Sequence, residues 1–64
     1  MKGSITVDGK RIDIGAKVLI VDGPYASRLG FFRGRCRTKP GKVLVTPALT
    51  TTNIVLGADA IRKA

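Results

Sequence analysis

Three arginines, Arg33, Arg35 and Arg37, stand at alternate positions behind Phe31. Alternate positions on a β-strand point to one side at intervals of roughly 7 Å. A guanidinium binds phosphate as a planar fork and stacks on a base, and a phenylalanine face stacks on an unpaired base for about 1–3 kcal/mol. The chemistry implied is recognition of nucleic acid. A solvated strand face whose charges deter edge-to-edge pairing has the same pattern. Three arginines with no lysine or intervening acid favour recognition over that reading.

Catalysis has little to draw on. The chain has no histidine and no glutamate, and its four aspartates, Asp8, Asp13, Asp22 and Asp59, fall in or near predicted turns and strand ends with no pairing for acid–base work. Asp8 and Asp22 each precede a glycine, the position that turn chemistry favours. Cys36 lies between Arg35 and Arg37, which favour a thiolate, but alternation sends it to the opposite face, so a buried and inert thiol is expected. One cysteine without histidine makes neither a structural zinc site nor a disulfide framework. Residues 23–28 lack the second glycine and the lysine of a phosphate-binding loop. A non-enzyme with no cofactor and no metal is expected.

At 64 residues the chain buries only about 60% of the surface it would expose when unfolded, so one thin core is the most it builds. An apolar content of 44% is too high for a disordered tail. The longest apolar run, residues 18–21, is far short of the ~20 residues that span a bilayer, and the N-terminus leads into alternation rather than an apolar signal block. No membrane association and a cytoplasmic location are expected. The net charge of +8 and pI near 10.7 call for an acidic partner, nucleic acid being the commonest because neutralised phosphates release counterions. A basic surface that serves only solubility is the bland alternative.

The elements that must position these residues read as all β. Residues 4–7 and 10–14 flank Asp8-Gly9, a type I′ pair, and predict a hairpin. A strand follows over 16–21, then a loop from Gly23 that ends at Gly30, where a residue without Cβ allows a sharp re-entry into the sheet. Residues 31–37 form the next strand, Lys39-Pro40-Gly41-Lys42 a turn, and 42–46 the returning strand. After a loop over 47–52 come a strand over 53–56, a single turn near 58–60 and a last strand over 61–63. Short, evenly spaced strands point to a small barrel.

Alternation assigns the faces. With Val18 and Ile20 inward, Phe32, Gly34 and Cys36 share a core with Val43, Val45, Ile54, Leu56 and Ile61. A tight Pro40-Gly41 turn would set Leu44 opposite Arg37 and Thr46 opposite Arg35. Leu19 and Val21, on the other face of an apolar strand, then need cover. Either the N-terminal hairpin supplies it, through Ile5, Val7, Ile12 and Ile14, or a second copy of the chain does, which makes a homo-oligomer one of the expected states.

The strand, turn-rich loop and strand over residues 15–35, with Asp22-Gly23-Pro24-Tyr25-Ala26 followed by Gly30, resemble the KOW motif, most nearly that of the C-terminal domain of NusG-type transcription factors. Asn53-Ile54-Val55-Leu56 and Ala60-Ile61-Arg62-Lys63-Ala64 resemble that family's last long strand and short closing strand. The resemblance implies an SH3-like β-barrel of about five strands that binds RNA, ribosomal proteins or transcription-complex proteins. It lends a binding role to Tyr25 and Arg28, although Tyr25 packed over one end of the barrel is an equal alternative, and a protein-docking role to Leu49. Residues 1–14 stand where such factors carry a polymerase-gripping domain.

The sequence thus reads as an N-terminal hairpin extension, 1–14, on a KOW-like SH3-type barrel, 15–64. Its expected function is binding of RNA or another nucleic acid through Phe31, Arg33, Arg35 and Arg37, with Tyr25 and Arg28. The competing reading is a self-associating or protein-docking module that uses Leu19, Val21 and Leu49.

Overall fold

A computed structural model describes residues 3–64. Among the described residues every regular element but one is a strand: β1 (Ile5–Val7), β2 (Lys10–Ile12), β3 (Lys17–Ile20), β4 (Leu29–Arg35), β5 (Lys42–Pro47), β6 (Ile54–Gly57) and β7 (Ile61–Lys63), with a single 3-10 turn, Ala58–Ala60, before β7. The all-β expectation holds, with strand ends displaced by one or two residues: β2 and β3 are shorter than alternation implies, and β4 runs from Leu29 to Arg35 instead of from 31 to 37.

β1 and β2 form a two-stranded antiparallel sheet in which Val7 pairs with Lys10. Asp8 and Gly9 take φ of 52° and 74°, the left-handed pair that a type I′ turn requires and whose twist matches the flanking strands. The remaining strands form one antiparallel sheet in the order β6-β5-β4-β3-β7. β6 and β7 are its two edges, so the pairing leaves an open sheet and not a closed barrel. The 3-10 turn carries the chain from one edge to the other, and Val21 N–H donates to Ala60 C=O at 2.8 Å on the way.

β4 shows why this chain makes a sheet. Its residues alternate exposed and buried from Leu29 to Arg35, and Phe32 is fully enclosed. Gly30 is buried at the end of the β4–β5 pairing, opposite Pro47, where a Cβ would come within 2.9 Å of Val45 Cγ1 and 3.0 Å of Thr46 O. The glycine is there for close approach of β5. The bend expected at Gly30 is not what requires it.

The expected register of β4 on β5 is wrong. Phe31 pairs with Thr46 and Phe32 with Val45, the register then shifts, and Gly34 pairs with Leu44 and Arg35 with Val43. Arg33 is the extra residue of a β-bulge, and Gly34 takes φ of 116°, a backbone state that favours glycine. The tight turn at Lys39–Lys42 does form, with Lys42 N–H donating to Lys39 C=O at 3.1 Å and Gly41 at φ 79°. It does not extend the ladder to Arg37 because β4 ends at Arg35.

Val18, Ile20, Phe32, Val43, Val45 and Ile61 form the core, joined by Ile12 from the hairpin, with Ile54 and Leu56 packed against it. Ile5 and Val7 pack on the same cluster. The hairpin therefore packs on the cluster that holds Val18 and Ile20, while Leu19 and Val21 lie outside that cluster. Its role follows from the open sheet, whose apolar face needs a second layer. Residues 3–14 and 15–64 differ in sheet but share one core.

Candidate nucleic-acid interface

Arg33, Arg35 and Arg37 do not lie along one flat strand face. The bulge and the loop after β4 gather them around a depression of about 740 Å³ whose apolar lining is Ile14, Leu44 and Val55. Arg33 enters as the bulged residue. Arg35, one step beyond the register shift, pairs with the core residue Val43, and its guanidinium donates to Ser4 C=O at 3.0 Å, which ties the cluster to the N-terminal segment. Arg37 follows on the loop.

The lining comes from paired neighbours. Leu44 and Val55 are directly opposite on β5 and β6, on the face away from Val43, Val45 and Leu56. Gly34, opposite Leu44, contributes no side chain, and Ile14 Cδ1 lies 3.5 Å from where its Cβ would stand. Ile14 is 55% exposed and Val55 42% exposed. Apolar surface is thus open to solvent between cationic groups.

No acidic residue lines the depression among the described residues. Asp8 pairs with Arg62 at 2.8 Å, Asp13 with Arg11 at 2.9 Å, and Asp22 accepts from Gly23 N–H. Arg33 and Arg37 have no hydrogen bond or ion pair among the described residues, so the positive potential of the cluster is unquenched locally. Phe31 is 41% exposed beside this site, paired with Lys17 and Thr46. It does not line the depression.

Cys36 corrects another expectation. The thiol is half-buried at the rim and not enclosed in the core. Strand alternation no longer governs it, because the strand has ended at Arg35. Its sulfur lies 3.4 Å from Thr38 Oγ1, and hydrogen bonds from the Thr38 side chain and backbone hold its pKa below the ordinary thiol value.

The other candidates lie apart. Tyr25 is half-buried and packs against the core, and the Arg28 guanidinium stands over its ring at 5.8 Å from the centroid. Arg28 is thereby held by a cation–π contact. Leu19 is half-buried between its strand partners Leu29 and Arg62, and Val21 is exposed. Leu49 is 101% exposed at φ 67°, on the turn after β5.

Sequence reasoning missed Gly34, Ile14 and Val55 as parts of the site. A glycine inside a strand pattern is a bulge signal, and it was available between Arg33 and Arg35. Among the described residues no helix is long and apolar enough to cross a membrane, and no group of three potential ligands could hold a metal ion. No family model matches the chain, and no curated protein or solved structure matches it significantly.

Proposed function

We propose that the chain is a non-enzymatic nucleic-acid-binding module of the SH3-like, KOW-containing kind, with RNA as its ligand, acting with transcription or translation machinery in the cytoplasm. The observation that carries this reading is the gathering of Arg33, Arg35 and Arg37 around one depression with no acid in its lining. Clustered guanidinium groups on a chain of net charge +8 attract a polyanion and engage its phosphates as forks. The KOW resemblance adds support, since residues 17–35 fold as the strand, loop and strand that such a motif implies.

Replacing Arg33, Arg35 and Arg37 together with glutamine tests it. All three side chains are exposed, so thermal unfolding should change little while binding to RNA at low salt is lost. Unaltered affinity in the triple variant would remove the arginine cluster from the mechanism.

A further inference from the structure

We propose that the depression takes an unpaired base, so that the ligand class is single-stranded and not duplex nucleic acid. This inference rests on the nucleic-acid reading of the arginine cluster and adds a base-binding floor to it.

A surface that only tracked phosphates would need cations and no cavity. This one has a concavity of about 740 Å³, within the range of roughly 300–1,000 Å³ typical of sites that enclose small ligands. Its lining joins Ile14, Leu44 and Val55 to Arg33, Arg35 and Arg37. A nucleotide has the matching division. Its base is a flat face of low polarity, and its phosphates are anionic and flank the base along the backbone.

Gly34 lines the depression without contributing a side chain. Ile14 packs across that position, and Leu44 and Val55 stand side by side beyond it. Arg33 and Arg37, free of partners among the described residues, can lie planar against the base edge or fork to a flanking phosphate. Base pairing in a duplex holds bases away from such a floor, whereas an unpaired base enters at no unstacking cost beyond that of the single strand. Phe31, exposed next along the strand before Arg33, offers an adjacent base a second face.

The test compares ligands before it compares variants. Fluorescence anisotropy at one low salt concentration would measure the intact protein against a short oligoadenylate, an abasic oligomer of the same length and backbone, and an RNA duplex. The oligoadenylate should bind about tenfold more tightly than the abasic oligomer, the range expected for one buried or stacked base. The Ile14→Ala/Val55→Ala double variant, which truncates two exposed residues and keeps Phe31, should lose most of that preference, with the dependence on salt unchanged. Equal affinity of the intact protein for the two oligomers, or tighter binding of the duplex, overturns base insertion while leaving the arginine cluster in place. A tenfold preference retained in the double variant overturns this floor as the base site. Failure of the intact protein to bind any of the three ligands overturns the nucleic-acid reading itself.

Discussion

At the residue scale, position relative to the strand end decides behaviour. Cys36 is one residue beyond β4, and its sulfur is held by Thr38 at the rim of the arginine depression instead of facing the core. Hydrogen bonds to the sulfur favour the thiolate, which is the reactive form. Iodoacetamide should therefore alkylate Cys36 in the folded protein faster at neutral pH than it alkylates the urea-unfolded chain. Thr38→Val, which removes the side-chain hydrogen bond and leaves the backbone ones, should reduce that advantage, as followed by mass spectrometry. Slower alkylation of the folded protein would return Cys36 to the buried state that alternation implies.

Gly34 obeys the same logic through its backbone. With φ at 116° it supplies a conformation that L side chains rarely adopt. Gly34→Ala should cost about 1–3 kcal/mol of stability, read as a lowered urea midpoint with unchanged slope, and should weaken RNA binding as Arg33 is displaced. Unchanged stability would mean that the bulge relaxes without loss.

At the scale of elements, the hairpin is a lid on the core. Ile12 has no exposed surface and belongs to the same cluster as Phe32 and Ile61. Ile12→Ala should cost about 2–5 kcal/mol, a large share of the roughly 5–15 kcal/mol that holds a small domain folded. Deleting residues 1–14 should abolish the cooperative thermal transition outright. A deleted chain that still melts cooperatively would show that residues 15–64 fold alone, as the hairpin-extension reading of the sequence implied.

At the scale of the whole molecule, the relevant property is a small positive body with its charge largely unpaired. Twelve basic residues face four acidic ones, and two of those acids are already committed to Arg11 and Arg62. Binding to RNA should weaken steeply with salt. With three phosphates engaged, log K against log[salt] should fall with a slope of roughly −2 to −3, and each single arginine-to-glutamine change should reduce its magnitude by somewhat less than one. Phe31→Ala should instead lower affinity for single strands and leave the slope unchanged, because stacking releases no counterions. A slope near zero would exclude phosphate contacts as the source of affinity.

The sequence by itself determined what local chemistry controls. Asp8-Gly9 and Pro40-Gly41 specify their turns because few residues tolerate their backbone angles, and period-two alternation marks Val18, Ile20, Phe32, Val43 and Val45 as one buried set. The charge balance and the three arginines were equally legible. Only tertiary structure decided the rest. The connection after β4 is longer than a tight two-residue turn, since Arg35 already pairs with Val43, and the bulge at Arg33 adds one residue more, so Thr46 stands opposite Phe31 rather than Arg35. The hairpin joins the core through Ile12, Ile5 and Val7, because the open sheet leaves its apolar face uncovered and burial there removes surface from water. The depression has the same origin. Ile14, Arg33, Leu44 and Val55 are far apart in the chain; strand register brings the last three together, and the segment after the hairpin lays Ile14 beside Gly34.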